Sequence, residues 1–523
     1  MPDQEEGATP PSWIAFKTAA GNRYVHSRKI NQFVLLHPVL YGLLRLKKEG
    51  VDLAEWFQSL PRDGTVMDDC GVVSKAQIEY YFRKYLLMTE HGYFAEVDYG
   101  ARLGGRLTTE HVHYLLANVG EVVFEVTDDC NMACEYCGFG KYYAGYDERT
   151  GKYLDVSVAR NLLAYLLEYW DSPLHASHNT PIHIGFYGGE PLLGFAFIRE
   201  IVDAVRHQET AHRTFSFGMT TNGLLLGEYM DFLVENDFAL LISLDGNEAG
   251  NAYRVLRSGK PAYSATVENV RALRDKYPHF FERKVKFNAV LHNKNSVAEV
   301  YTFFKDTFDQ IPKITALSTV GIAAGKVREF REMFRSPYRS STESARCPSM
   351  EADMLLNLPE TRGLATTIFR CSGYSFRDYN ELLLGRERER RVPTGTCLPF
   401  SRKLFLSVNG KILQCERIGH HNHLGEVDAE GVTLDPAEIA ERTNRQLDAV
   451  RRSCMSCCDA DTCGVCIHQM DVRSHQTDQQ DPIECRHFVD SEDYSRHLSS
   501  QMSMLEASPE YYSRILDRSV VIG

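Results

Sequence analysis

Six times between residues 121 and 320, a short run of apolar and β-branched residues is followed by an amphipathic stretch. This alternation limits the possible folds more than any other feature of the chain. The short runs are EVVFEV (121–126), IHIGFY (182–187), TFSFGM (214–219), ALLISL (239–244), KVKFNAVL (284–291) and ITALSTV (314–320). Each has the length and residue types of a strand. Between them stand VARNLLAYLLEYW, AFIREIVDAVRHQ, EYMDFLVEN, TVENVRALRDKY and VYTFFKDTF, long enough for the right-handed crossovers that parallel strands require. The rhythm predicts an α/β fold with helices outside a parallel sheet. A ligand then belongs at the loops that leave the carboxyl ends of the strands.

The chain has 523 residues, more than one cooperative core usually holds, so roughly two to four domains are expected. A net charge of -12 offers phosphate backbones no broad attraction, which argues against nucleic acid. The amino terminus is acidic and no uninterrupted apolar run reaches about 18 residues, so neither an export signal nor a membrane span is expected. The default location is cytoplasmic. In that compartment fourteen cysteines point to metal or redox chemistry rather than to a disulfide framework.

Ahead of the six units, RYVHSRKINQFVLLHPVLYGLLRLKKEG predicts a strand pair leading into a helix over 37–48 that stops at Gly50. SKAQIEYYFRKYLLMTEHGYFAEV then predicts a second helix and a strand. After the six units, residues 321–396 are polar and helical in places, and KLFLSVNGKILQCE has the alternation and Asn-Gly turn of a hairpin. The remainder is short, charged and crowded with cysteine, with so few apolar residues that metal is expected to substitute for core.

Cys130, Cys134 and Cys137 follow the first strand with spacing that lets three thiols share one inorganic centre. Thiolates select zinc, copper(I) or iron-sulfur clusters. A structural zinc site closes with four protein ligands, and no Cys or His follows soon enough to complete one. The set Cys-x-x-x-Cys-x-x-Cys, together with YGGEPLL (187–193) after the second strand, resembles the radical S-adenosylmethionine (SAM) superfamily. The resemblance implies a partial (β/α)6 barrel, a four-iron cluster on the three cysteines, and S-adenosylmethionine on its open iron. It also implies an external electron donor such as flavodoxin or ferredoxin. Gly188 and Gly189 would admit the cofactor close to the backbone, and Glu190 would accept from its ammonium group. Ser243, in SLDG as in sulfatase-maturing relatives, would face the cofactor carboxylate, while Asn222 and Asn288 would reach the ribose or adenine edge.

The late cysteines Cys397, Cys415, Cys454, Cys457, Cys463, Cys466 and Cys485 resemble the SPASM extension of that superfamily, with two residues instead of three between Cys463 and Cys466. The resemblance implies two auxiliary four-iron clusters. Cys454, Cys457, Cys463 and Cys485 would hold the outer one; Cys397, Cys415 and Cys466 would hold the inner one, closed by Cys371 or Cys347. Zinc knuckles are the alternative for these thiols. GHHNHLG (419–425) is expected to be a polar hairpin edge, and Cys70 to have no redox task.

The expected organisation is a flexible tail (1–20), a helix-and-wing module resembling leader-peptide recognition domains (21–105), a radical SAM core (118–325), a bridge (326–395), a SPASM domain (396–490) and a helical tail (491–523). On this basis the chain is expected to be a peptide maturase. It would form a thioether or carbon-carbon crosslink in a ribosomal precursor bound through its leader. The alternatives are anaerobic sulfatase maturation, forming formylglycine, and non-catalytic iron-sulfur electron transfer. No catalytic acid or base is selected among Tyr136, Tyr187, Asp245, Arg254 and Arg402.

Overall fold

The computed structural model describes residues 9–67, 70–176, 180–343, 348–371, 392–470, 485 and 487–519. Cys347 and the side chain of Cys371 lie outside what is described. A ten-stranded mixed sheet organises the molecule. Its six parallel strands are β6 (Glu121–Thr127), β7 (Ile182–Gly188), β8 (Phe215–Thr221), β9 (Ala239–Ser243), β10 (Val285–Leu291) and β11 (Lys313–Ala316), side by side in chain order. All six predicted strands form, and helices Val156–Trp170, Phe195–Arg206, Leu226–Glu235, Tyr263–Lys276 and Val297–Phe308 connect them.

Alternation gives this sheet two unlike faces. Val122, Phe124, Ile184, Phe186, Phe217, Leu240, Ile242 and Phe287 point toward the helices and form one buried core with Leu162, Leu166, Ile198, Ile201 and Phe304. Continuous burial on that side explains why these strands read as apolar runs.

The C-terminal segment does not stand apart as a domain. Strand β12 (Leu404–Leu406) pairs parallel to β6, and β13 (Lys411–Leu413), β14 (Gly425–Val427) and β15 (Val432–Leu434) continue the sheet antiparallel. Phe400, Leu404, Leu406, Val408, Ile412, Val427 and Ile439 are buried in the same core as β6. The segment therefore borrows apolar surface from the central sheet, where metal had been expected to replace a core.

The front module has its own core of Val25, Leu36, Val39, Leu43, Leu44 and Ile78. An antiparallel meander, β1 (Trp13–Lys17), β2 (Arg23–Ser27) and β3 (Gln32–Leu36), precedes helix Pro38–Lys48. Pro38 starts that helix where its missing N–H is harmless, and Gly50 follows its end with φ +85°. The hairpin of β4 (Thr65–Met67) and β5 (Gly71–Val73) leads to helix Lys75–Glu90, opened by a Ser74–Gln77 capping box. Strand β1 lies partly within the stretch expected to be a loose tail; Ile14 and Phe16 alternate inward and bury against Tyr494 and Leu498 of helix Ser491–Ala507.

Arg28 fixes this module to the cysteine-rich segment. The side chain is fully buried, donates to the Cys458 carbonyl at 2.8 Å, lies 3.9 Å from the Asp461 carboxylate and stacks over Tyr99 at 4.9 Å. Arg102 reaches the same carboxylate at 3.1 Å. Removing one member of a buried, charged contact leaves the others desolvated, which weakens a fold by about 3 kcal/mol or more. Arg28→Ala should therefore lower the unfolding free energy by about 3 kcal/mol, measured by urea denaturation, and speed amide exchange across β1 to β3.

Candidate functional site

The second face of the parallel sheet is polar. Glu125, Tyr187, Ser216, Thr220, Ser243 and Asn288 occupy the alternate positions to the core residues, and all but Glu125 are half-buried rather than sealed. Ser243 and Asn288 are direct neighbours across β9 and β10. Among the described residues, the Ser243 hydroxyl takes no protein partner, whereas Asn288 receives a weak contact from Thr315 at 3.4 Å. Polar groups left open at strand ends are what a ligand needs for orientation.

Where β6 and β7 end, their two following loops are zipped together. Gly189 N–H donates to the Thr127 carbonyl and Glu190 N–H to that of Asp129, both at 2.8 Å. A Cβ on Gly188 would strike the Thr127 carbonyl oxygen and one on Gly189 that of Asp129; Gly188 also has φ +130°. Both glycines thus serve this backbone approach, a role distinct from the cofactor access expected of them. Glu190 locks the joint. Its Oε1 accepts from Thr221 Oγ1 at 2.8 Å and Leu192 N at 3.2 Å, and its Oε2 from Asn222 N at 2.7 Å. Burial pushes this carboxyl up to about 7, against the pull of those donors.

Asn222 extends the joint to the cysteine loop. Its side-chain amide donates to Asn131 Oδ1 at 2.7 Å and lies 3.8 Å from Cys130 Sγ. Glu190, Asn222 and Cys130 are thereby brought together, with Gly188 and Gly189 between them. Under the same loop Tyr136 donates to the buried Asp245 carboxylate and accepts from Arg254 Nη1 at 2.8 Å. Asp245 also takes Val290 N–H at 2.8 Å, with His292 Nε2 3.8 Å away. Of the five residues considered as acid or base, this network uses three in holding the loop.

The expected three four-iron clusters are not supported by the arrangement of side chains. Among the described residues, no three or more His, Cys, Asp and Glu side chains are grouped so as to hold a metal ion. Burial raises the Cys130 thiol and pushes that of Cys134 to about 11, which disfavours the ligating thiolates. Cys130 Sγ instead accepts from Met132 N at 3.4 Å. In the C-terminal segment burial likewise pushes Cys415 and Cys454 to about 12 and raises Cys457 and Cys463. Cys397, Cys466 and Cys485 are half-buried beside them, and Cys458 is sealed against β1. His420 of the GHHNHLG stretch pairs with Asp147 at 3.1 Å, as a polar hairpin edge does.

Sequence reasoning passed over Glu125 and Arg149. Glu125 is an acid in an otherwise apolar strand, which was the available signal. Its Oε2 accepts from Val408 N at 2.9 Å, joining β6 to the C-terminal hairpin, and burial pushes the carboxyl up to about 7. A folded-state value raised above the unfolded 4.5 makes the unfolded chain ionise first, so stability is lost as pH rises through that window. Stability should fall from about pH 4.5 to 7, by at most about 1.4 kcal/mol per unit for this group, and then level. Glu125→Gln should flatten the decline in urea melts across a pH series.

Residues 124–306 match the model of the radical SAM superfamily. An uncharacterized protein of Methanocaldococcus jannaschii is 30% identical over 154 residues, 29% of this chain and 48% of the relative. The cysteine-type anaerobic sulfatase-maturating enzyme of Clostridium novyi is 28% identical over 197 residues, 36% of this chain and 49% of the relative. The chain thus spans about half the length of these curated relatives. The fold is similar to that of native anSMEcpe with bound AdoMet and Cp18Cys peptide, with a TM-score of 0.51 at 16% identity, covering 77% of this chain and 99% of that one. The matched stretch runs from β6 through the crossover before β11 and contains the zipped loops, Asn222 and Ser243; the chain belongs to the radical SAM superfamily.

Proposed function

We propose that the chain is a radical SAM oxidoreductase that converts a cysteine or serine side chain of a polypeptide to formylglycine, as the name of its Clostridium novyi relative indicates for that protein. The expected crosslinking of a ribosomal precursor gives way to this reading, because the likeness runs to a cysteine-type sulfatase-maturating enzyme and, in fold, to the AdoMet-bound anSMEcpe. The observation that carries it is the polar face where the cysteine loop, Glu190, Asn222 and Ser243 converge at the strand ends. The six parallel strands then correspond to the partial barrel of the superfamily, and β12 to β15 to a SPASM-type extension of it.

The residues present suit S-adenosylmethionine. Ser243 has a free hydroxyl for its carboxylate, Asn288 lies beside it, and Glu190 has spent three of its roughly four acceptor sites, leaving one on Oε2 for an ammonium group. Reduced by one electron, that cofactor supplies a carbon radical able to remove a hydrogen atom from the substrate Cβ. For a cysteine substrate, loss of a further proton and electron gives a thioaldehyde, and water then replaces sulfur to leave the aldehyde and hydrogen sulfide. The electron that starts the turnover is returned at its end, so the net change consumes one S-adenosylmethionine per aldehyde. The zipped loops hold the Cys130–Cys137 segment rigid beneath this face, which favours a fixed approach of the reacting carbon.

The front module is suited to holding the polypeptide. Among the described residues β3 pairs only with β2, and its Leu35 is 61% exposed, so an extended segment can add to the sheet at that edge. Anaerobic incubation with S-adenosylmethionine, a strong reductant and a cysteine peptide should yield an aldehyde, trapped as a hydrazone, in equal amount to 5'-deoxyadenosine. An intact thiol beside abundant 5'-deoxyadenosine would reject the formylglycine reading. Ser243→Ala should weaken S-adenosylmethionine binding about fivefold, the worth of one hydrogen bond near 1 kcal/mol, by equilibrium dialysis.

A further inference from the structure

The guanidinium of Arg149 is a buried cation without a protein partner. Its Nε and Nη2 are sealed from solvent and make no hydrogen bond, and its single described contact is the Phe139 ring, 4.1 Å from Cζ. Both residues follow the cysteine loop, and Arg149 lies within electrostatic reach of Cys130, Glu125 and His420. The ring occupies one face of the guanidinium, while the N–H donors leave in its plane. A desolvated guanidinium with idle donors is unfavourable unless something anionic completes it.

The nearby carboxylates are committed elsewhere. Asp128 takes Lys152 N at 2.7 Å and Thr150 N at 3.0 Å, one on each oxygen. Asp147 takes Lys411 Nζ at 2.8 Å, Asn409 Nδ2 at 3.0 Å and His420 Nδ1 at 3.1 Å. Glu125 uses one oxygen on Val408 N–H at 2.9 Å and forms no ion pair with Arg149. These contacts tie the cysteine-loop side to the C-terminal hairpin and leave Arg149 between them. Asn222 and Glu190, the groups suited to S-adenosylmethionine, are instead bonded to one another around β8.

We propose that Arg149 binds a carboxylate of the polypeptide substrate through its paired N–H donors, so that an acidic residue near the oxidised side chain is a recognition element. This deepens the formylglycine reading and rests on it for the polypeptide nature of the substrate. Arg149 is a specificity residue: a planar fork suits a carboxylate and a lysine does not reproduce it.

The test is a set of fluorescein-labelled cysteine peptides in which a single Glu is moved through the flanking positions, each paired with its Gln counterpart. Binding to the full chain is measured by anisotropy with S-adenosylmethionine present. At one position the Glu peptide should bind about tenfold tighter than the Gln peptide. Arg149→Gln should abolish that preference, Arg149→Lys should restore part of it, and S-adenosylmethionine affinity should be unchanged in both. Equal binding of every Glu and Gln pair by the unaltered protein overturns the proposal, and needs no variant to fold. A preference retained in Arg149→Gln overturns it too, as does a loss confined to S-adenosylmethionine, which would assign the carboxylate to the cofactor. Aldehyde formation is scored separately on the neutral peptide; selective binding without aldehyde rejects the formylglycine reading and leaves the Arg149 contact standing.

Discussion

The joint between the loops after β6 and β7 is the constraint on which the site depends. Two glycines let one backbone lie against the other, and Glu190 then ties both to the start of the loop after β8 through Thr221 and Asn222. A carboxylate answered by three donors is fixed in direction as well as position. Asn222 can therefore reach across to Asn131 and Cys130 with its side-chain amide while its backbone stays with Glu190. Three strand ends behave as one rigid rim, and the open hydroxyl of Ser243 is held at a set distance from it.

A second network supports the rim from below. Tyr136, between two of the loop cysteines, is held by Arg254 and Asp245, and Asp245 is itself held by the backbone of β10. Because these groups are buried, each one removed would leave the others unanswered. The polar residues around the loop are thus arranged for stiffness, and those aimed at a ligand are the ones without protein partners, Ser243 and Arg149.

Legibility in the sequence followed from how local the determining physics was. The six strands and their helices were readable because burial on the helix side writes apolar runs into the chain, and Gly50 marked a helix end through a backbone requirement of its own. The glycines at 188 and 189 were readable as close approach, but the approaching group is a peptide carbonyl some sixty residues earlier, which no local pattern names. The same holds for β12. Its pairing with β6 joins residues far apart in sequence, so a segment poor in apolar residues looked self-contained when it completes a sheet built elsewhere. Arg149 gave no sign, since its meaning lies in Asp128 and Asp147 having other partners.

The contact of the first strand with the last helices carries a consequence for synthesis. Strand β1 is flanked on its outer side by helix Ser491–Ala507, where Ser499 donates to the Lys17 carbonyl at 2.5 Å and Ser503 accepts from Ala19 N at 2.9 Å. A ribosome delivers those serines nearly five hundred residues after the strand they cover. During translation the nascent chain carries an uncapped, sticky margin that only the closing segment can shield, so assembly of this protein ends at the place where its synthesis began.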